Sequence, residues 1–255
     1  MTTEPSDLIQ TIVRAENQFP RTFANAIERD WGVLFVTPTI PDSYDGNHAG
    51  VLSHDIEVSS VVAEIADFYE SRGLSPRVNY VSAEGDHSGL REALRAAGFT
   101  FSSENPRLYL FRNPSRILPN PLVRVRLVPA VDSDLLTSLA SINNMRMAKV
   151  LQRRAVRPDG WLFVAEIDGE PAAVALLERL GDIARVDEVH TAERYRGKGC
   201  ARTVIHTLVA YYQAHLNIPL FLWTYNPIAE RIYIEAGFYK LDNPPAIWYT
   251  WRERK

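Results

Sequence analysis

The alternation of apolar and polar residues predicts a three-stranded β-meander in the second half of the chain. Residues 161–167 and 171–177 are largely apolar and are separated by Asp168-Gly169, a dipeptide typical of tight hairpin turns. A second turn signal at Gly181-Asp182 leads into a third predicted strand at residues 183–191. A glycine-rich, basic segment follows at once, so it is expected to lie just beyond the end of a strand.

The pattern then predicts a helix, a strand and a second helix. From Cys200, apolar residues recur every three or four positions over about sixteen residues, which is typical of an α-helix. Residues 219–224 form a short apolar strand. Asn226-Pro227 supplies a helix cap and a first-turn proline, and Gly237 is a typical helix-terminating glycine. Phe238 begins the next strand-like segment.

The first half of the chain repeats this punctuation. When it is shifted forward by 139 residues, Ala97-Gly98-Phe99 falls on Ala236-Gly237-Phe238 without any gap. The same shift brings together residues 61–70 with 200–209, 87–96 with 226–235, and 108–112 with 247–251. The identity between the halves is low, so the duplication is a hypothesis about structure.

A proline-rich segment separates the two halves. Residues 113–121 contain three prolines and are the predicted linker. After it, residues 123–129 are predicted as the first strand of the second half and residues 132–142 as its first helix. The expected domains are therefore 1–116 and 122–255.

Composition limits the classes of function. The 255 residues carry a net charge of −3 and have a pI of about 6.1, which argues against a nucleic-acid-binding protein. The single cysteine excludes an internal disulfide, and six scattered histidines show no metal-ligand spacing. We find no signal peptide and no long apolar span, so no membrane association is expected and a cytoplasmic location is predicted.

The basic segment Arg196-Gly197-Lys198-Gly199-Cys200-Ala201 is a candidate anion site. A helix presents unpaired N–H groups and the positive end of its dipole at its first turn, and anions bind there readily. Glycine lets the backbone approach a phosphate closely, and the neighbouring Arg194 and Arg202 add positive charge. A solvated surface turn is the alternative interpretation of this hexapeptide taken alone.

Together with Asn226, Tyr233 and Gly237-Phe238 downstream, this segment resembles the acyl-CoA site of the GNAT superfamily of N-acetyltransferases. The order of strand, glycine turn, helix, strand and Asn–Tyr helix is the GNAT order, over residues 122–252. The resemblance implies an α/β (α+β) fold of two GNAT-like units in tandem. Each unit would be a mixed, mostly antiparallel, twisted sheet flanked by helices.

The resemblance also implies how acetyl-CoA is held. The family's Arg/Gln-x-x-Gly-x-Gly/Ala pattern fits in two registers, Arg194 to Gly199 or Arg196 to Ala201, and the second places the helix start as the family does. Backbone amides from 197 to 202 would hold the pyrophosphate, and the pantetheine arm would pair with the preceding strand as an added strand does. The implied cofactor-binding residues are Val189, His190, Thr191, Arg196, Gly197, Lys198, Gly199, Cys200, Ala201, Arg202 and Asn226.

The reaction implied by the resemblance is attack of an amine on the acetyl thioester. Tyr233 matches the residue that protonates the leaving CoA thiolate in many members of the family. The amine must lose a proton, and Glu188 is the expected base. His190 shares the strand face of Glu188, whereas Asp187 is expected to point the other way. His190 is equally compatible with a packed or substrate-lining role.

The first half lacks these groups. Glu57 stands at the position of Arg196, and Leu94 stands at the position of Tyr233. An acidic residue there would repel phosphates, so we expect one acetyl-CoA site, in the second half, and no metal. The expected acceptor is a small-molecule or protein amine. A non-catalytic acyl-CoA-binding sensor is the main alternative, and an O-acyl or amidine-type transferase is a more distant one.

Overall fold

The computed structural model describes residues 5–103 and 106–253. The chain divides into two compact units, one comprising Met1–Asn105 with Asn243–Lys255 and the other comprising Pro106–Asp242. Each unit contains one mixed, mostly antiparallel sheet with helices packed against it. The predicted fold class is confirmed.

The first unit has a six-stranded sheet in the order β1-β2-β3-β4-β13-β5. Its strands are β1 (Asn25–Arg29), β2 (Gly32–Val36), β3 (Ala49–Val51), β4 (Arg77–Ser82), β5 (Thr100–Phe101) and β13 (Ala246–Trp251), and its helices are α1 (Pro5–Gln18), α2 (Val58–Glu70) and α3 (Ser88–Ala96). Among these described strands, β3 and β4 pair in parallel and the other neighbours pair antiparallel. The apolar faces of α2 and α3 share one core with β2, β3 and β4.

The second unit has a seven-stranded sheet in the order β12-β6-β11-β10-β9-β8-β7. Its strands are β6 (Arg107–Phe111), β7 (Arg124–Val128), β8 (Gly160–Ile167), β9 (Glu170–Leu180), β10 (Ile183–Thr191), β11 (Leu220–Thr224) and β12 (Phe238–Lys240), and its helices are α4 (Ser133–Ile142), α5 (Met145–Ala155), α6 (Cys200–His215) and α7 (Pro227–Glu235). Helices α4 and α5 share a core with one face of the sheet, and α6 and α7 with the other.

Local signals account for most of these elements. Asp168 and Gly169 both have positive φ, 53° and 83°, as a tight β-hairpin turn of the I′ type requires. The predicted helix α4 begins at a capping residue, because Asp132 accepts a hydrogen bond from the N–H of Leu135 at 2.8 Å. Helix α5 was not predicted.

The compact units do not follow the predicted boundaries 1–116 and 122–255. Strand β6 belongs to the sheet of the second unit, where it pairs with β11 and β12, although it precedes the predicted linker. Strand β13, from the other end of the chain, pairs with β4 and β5 in the first unit. Long-range hydrogen bonds assign these two strands, and a pattern of apolar residues cannot show which sheet a strand joins.

The segment 113–121 is part of the second unit and not a linker. The N–H of Arg116 donates to the carbonyl of Glu235 at 2.8 Å, and Ile117 is buried in the core under α6 and α7. At Gly237, where φ is 103°, an added Cβ would lie 1.9 Å from the carbonyl oxygen of Asn113. This close approach explains why glycine follows α7.

The internal repeat agrees with the elements of the two units. Helix α3 shifted by 139 residues coincides with α7 at both ends. In each sheet one parallel pair, β3–β4 or β10–β11, is followed outward by β13 or β6. The strand following each parallel pair therefore comes from the opposite half of the sequence.

Candidate active site

A cavity lies beside β10 in the second unit, beyond the point where its parallel partner ends its pairing. β10 and β11 pair only at Ala184–Leu220 and Arg185–Phe221. The end of β10, from Val189 to Thr191, lines a cavity of about 840 Å³ together with the glycine turn, the start of α6 and α7. The predicted site residues lining it are Val189, His190, Thr191, Arg196, Gly197, Gly199, Cys200, Ala201, Arg202, Asn226 and Tyr233. Lys198 and Glu188 are the predicted residues that do not line it.

The glycine turn holds the backbone in conformations that favour glycine. Gly197 and Gly199 both have φ of 77°, and α6 begins at Cys200 as predicted. An added Cβ on Gly197 would meet no atom within 4 Å, so the side facing outward is open. The register Arg196 to Ala201 therefore places its central glycine at the N-cap of α6.

Within the described chain, the first turn of α6 lacks the side-chain cap that five other helices have. Side chains of Glu57, His87, Asp132, Asn144 and Asn226 accept hydrogen bonds from the first amides of α2, α3, α4, α5 and α7. Among the described residues, no side chain caps α6. Because unpaired amides at a helix start attract anions, α6 is the helix of this group whose N-terminus can receive a ligand phosphate.

Asn120, which sequence reasoning missed, holds the turn from outside. Its side-chain Nδ2 donates to the carbonyl of Lys198 at 2.8 Å, and its backbone N–H donates to Oγ1 of Thr203 at 2.9 Å. These bonds tie both the turn and the first turn of α6 to the proline-rich segment. The contacts span about 80 residues of sequence, so no local pattern indicated them.

A bulge in β10 sets the directions of the acidic side chains. The pairing with β9 shifts between Asp187, opposite Leu176, and His190, opposite Val174, so one extra residue is accommodated in β10. Glu188, inside the bulge, has a φ of 49°. The expectation that Asp187 points away from Glu188 is wrong, because the bulge breaks the strict alternation and both carboxylates contact Arg154.

Arg154 of α5 is the centre of a buried charge cluster and was also missed. It is 0 % exposed, and its Nε donates to Oε1 of Glu178 at 2.9 Å. Its Nη2 donates to Oδ2 of Asp187 at 2.8 Å, and its Nη1 lies 3.6 Å from Oε1 of Glu188. A signal existed in the sequence, since Arg154 continues the helical stripe of apolar residues through Met147 and Leu151.

The ion pairs of this cluster stabilise the charged forms of Asp187 and Arg154. Burial raises the pKa of the Asp187 carboxyl, but Arg185 and Arg154 outweigh it and hold that pKa at about 2. The pKa of Arg154 is raised well above its usual value, because Glu178 and Asp187 more than offset its burial. These groups are therefore ionised throughout the neutral range.

His190 connects this cluster to the cavity. Its Nε2 lies 3.0 Å from Oε2 of Glu188, and its Nδ1 lies 3.3 Å from Nδ2 of Asn143 at the end of α4. His190 and Asn143 line the cavity. Glu188 thus contacts the cavity through His190, on the strand face that the sequence predicted for both residues.

Tyr233 and Asn226 enter the cavity from α7. Tyr233 is 6 % exposed, and its burial, together with the nearby charge of Asp187, raises the pKa of its phenol. The phenol is therefore protonated at neutral pH and can donate. Oδ1 of Asn226 accepts from the N–H of Ile228 at 2.9 Å, which confirms the predicted cap and leaves the side-chain amide hydrogens pointing away from the helix amides.

Cys200 has no sign of a nucleophile. It is 1 % exposed, and burial raises the pKa of its thiol. A neutral, buried thiol is a poor nucleophile.

The equivalent helix start in the first unit is closed. The carboxylate of Glu57 accepts hydrogen bonds from the N–H of Ser59 at 3.3 Å and of Ser60 at 2.7 Å. Elsewhere in this unit, the rings of His54 and His87 stack at 4.8 Å, and His54 Nε2 lies 2.9 Å from the hydroxyl of Tyr80. A negative charge already occupies the position where a phosphate would bind.

No group of three or more His, Cys, Asp or Glu side chains has a metal-binding arrangement in the described part of the chain. Within residues 5–103 and 106–253, no helix is both long and apolar enough to cross a bilayer.

The segment that contributes the cavity matches a known family of acetyltransferases. Residues 130–238 match the family model described as the Acetyltransferase (GNAT) family, a range that includes the β-meander, the glycine turn, α6 and α7. This segment is therefore a GNAT acetyltransferase domain, as the sequence resemblance predicted.

Solved structures give the same result for the fold. A GCN5-related N-acetyltransferase from Kribbella flavida has a TM-score of 0.68 at 18 % identity, over 97 % of this chain and 96 % of that one. A GCN5-related N-acetyltransferase-like protein from Streptococcus suis has a TM-score of 0.56 at 11 % identity, over 98 % and 100 %.

A tandem GNAT protein from the clavulanic acid biosynthesis pathway has a TM-score of 0.57 at 13 % identity, over 80 % of this chain and 74 % of that one. At such identities the likeness establishes a shared fold. A search of curated proteins gave no match.

Proposed function

We propose that the second unit is an acyl-CoA-dependent N-acyltransferase that moves an acetyl group from acetyl-CoA to a primary amine. The observation that carries this proposal is the uncapped start of α6 beside a cavity of about 840 Å³. The turn before it contains two glycines at positive φ, and the space beside Gly197 is open to a pyrophosphate. The residues present therefore fit acetyl-CoA.

The proposed contacts follow the cavity from one end to the other. Amides from Gly197 to Arg202 hold the pyrophosphate, and Arg196 adds a charge-assisted contact. The free edge of β10 at Val189 and Thr191 receives the pantetheine arm, because β11 pairs with β10 only near its beginning. The side-chain amide of Asn226 donates to the same arm.

The chemistry is acyl transfer by direct attack. Acetyl-CoA supplies an activated thioester, and Tyr233 supplies a proton to the departing thiolate, since its phenol is protonated and lines the cavity. The pair formed by Glu188 and His190 removes the proton of the amine. A small molecule or a protein side chain provides that amine.

One site per chain is proposed. At the corresponding position of the first unit, Glu57 satisfies the helix amides that a phosphate would need and adds a like charge. The first unit would then act as a degenerate partner domain.

Thiol release tests the proposal directly. The full chain is incubated with acetyl-CoA and a panel of small amines, polyamines, amino sugars and lysine-containing peptides, and free thiol is followed together with the mass of the acceptor. We expect amine-dependent thiol release and an acetylated product. Tight binding of acetyl-CoA without thiol release for any amine would instead favour the acyl-CoA-binding sensor.

A further inference from the structure

Of the two residues proposed to accept the proton of the amine, His190 and Glu188, one lines the cavity and the other does not. His190 and Asn143 line the cavity, whereas Glu188 lies behind His190 with its side chain 17 % exposed. An amine in the cavity would therefore meet the imidazole before the carboxylate. The two carboxylate oxygens of Glu188 are already in contact with protein groups, one with His190 and the other with Arg154.

Hydrogen bonding selects one form of the imidazole. An ionised carboxylate only accepts, so the 3.0 Å contact between Nε2 and Oε2 of Glu188 places the ring proton on Nε2. The lone pair is then on Nδ1, where Nδ2 of Asn143 donates at 3.3 Å. This distance is beyond the usual range, so the bond is weak and an amine can replace it.

Glu188 is itself held in place. The bulge gives its backbone a φ of 49°, and Nη1 of Arg154 lies 3.6 Å from its second oxygen. Arg154 is fully buried and fixed by Glu178 and Asp187. Glu188 is therefore the charged group in contact with His190 among the described residues, and Arg154 and Asp187 lie behind that carboxylate.

We propose that His190 takes the proton from the incoming amine, and that Glu188 is a positioning residue that orients His190 and compensates its positive charge. This rests on the proposed acetyl transfer. The arrangement is that of a base whose second nitrogen is fixed by a carboxylate. It changes the expected role of Glu188 from direct base to support of the base.

The proton balance of the step is complete. A protonated amine loses one proton to Nδ1 of His190 and becomes a nucleophile. Its nitrogen lone pair forms the C–N bond, the C–S bond breaks, and the electron pair leaves on sulfur, which takes the proton of Tyr233. The second proton of the nitrogen restores Tyr233 through solvent, and His190 returns its proton to water.

The test compares three variants with the wild-type chain. His190→Gln and Glu188→Gln are measured beside His206→Gln, a control on α6 whose ring contacts Ser115 and does not line the cavity. For each we record kcat/KM for thiol release from about pH 5 to about pH 9, across the range in which histidine titrates. The Kd for acetyl-CoA, measured by calorimetry, reports whether the fold and the cofactor site are intact.

The expected results differ between the variants. His190→Gln lowers kcat/KM by about 100-fold at neutral pH, a loss typical of a removed general base, and recovers partly at alkaline pH where free amine is abundant. Glu188→Gln has a smaller effect and moves the acidic limb of the profile to lower pH, because the imidazolium loses its counter-charge. The kcat/KM of His206→Gln stays within about twofold of wild type, and so does the Kd for acetyl-CoA of all three variants.

Other results would overturn the proposal while leaving acetyl transfer intact. An active His190→Gln beside an inactive Glu188→Gln would make Glu188 the base. If the acidic limb of the pH profile does not move in Glu188→Gln, Glu188 does not support the charge of His190. If the wild type releases no thiol with any amine, the proposed function fails. The pair is then judged by NMR titration of the His190 ring: a midpoint lowered by Glu188→Gln supports the pair, and an unchanged midpoint refutes it.

Discussion

At the scale of single residues, the cavity and the charge cluster behind it contain side chains whose protonation state is set by their surroundings. The buried phenol of Tyr233 remains protonated, and the arginines around Asp187 keep that carboxylate ionised. The protonated phenol of Tyr233 and the ionised carboxylate of Asp187 thus lie close enough for the charge of Asp187 to affect Tyr233. Their roles in turnover can be separated from their roles in binding.

Removing the Tyr233 hydroxyl tests its role as a proton donor. We expect Tyr233→Phe to lower kcat by about 10- to 100-fold, because the thiolate must then leave without a positioned acid. The Kd for acetyl-CoA should change less than threefold, since the ring remains in the core. Steady-state kinetics with calorimetry measures both quantities. An unchanged kcat at saturating acetyl-CoA would exclude Tyr233 from the mechanism.

His48 predicts how the first unit responds to acid. It is 4 % exposed, and burial lowers the pKa of its ring from 6.5 to about 4. Between these values the unfolded chain binds the proton and the folded chain does not, so stability falls as pH decreases through this window. The loss approaches about 3 kcal/mol at pH 4.

Denaturant unfolding measured at several pH values checks this. His48→Gln should unfold with a flatter pH dependence between about pH 4 and 6.5 than wild type, whereas His206→Gln should follow the wild-type slope. Identical slopes for wild type and His48→Gln would show that His48 does not carry the effect.

At the scale of elements, close packing around α7 explains one glycine. The ideal Cβ of an alanine at Gly237 would lie 1.9 Å from the carbonyl of Asn113 at a φ of 103°. We expect Gly237→Ala to destabilise the chain by at least about 2 kcal/mol. Gly169→Ala is the matched control, since its φ is also positive but no atom lies within 4 Å, and should cost only about 1 kcal/mol.

Chemical denaturation measures both variants. Equal free energies of unfolding for Gly237→Ala and Gly169→Ala would show that the segment near Asn113 moves aside at little cost.

Most elements of the second unit could be predicted because their signals are local. The Asp168-Gly169 hairpin, the cap at Asn226 and the periodicity after Cys200 each lie within a few residues. The contact of Asp187 with Arg154 could not be predicted, since a bulge at Glu188 reverses a direction that strand alternation would give. The Asn120 contacts depend on chain folding across many residues.

At the scale of the whole molecule, the repeat predicted which segments correspond but not which sheet each joins. Strands β6 and β13 occupy corresponding positions, and hydrogen-bond partners far away in sequence decide their sheets. The repeat also pairs two helices, α2 and α6, whose starts differ chemically. The corresponding helices begin differently, since a carboxylate caps α2 whereas an uncapped glycine turn precedes α6. The proposal of one acetyl-CoA site per chain rests on this difference.

The most direct measurement is a calorimetric titration of the full chain with acetyl-CoA. The account predicts one site per chain in the wild type and at least about 100-fold weaker binding in Gly199→Asp, because the new side chain brings a negative charge to the phosphate position. Gly181→Asp is the matched control, at a φ of 69° in an open hairpin turn, and should bind like the wild type. Unchanged affinity in a folded Gly199→Asp would contradict binding at the start of α6.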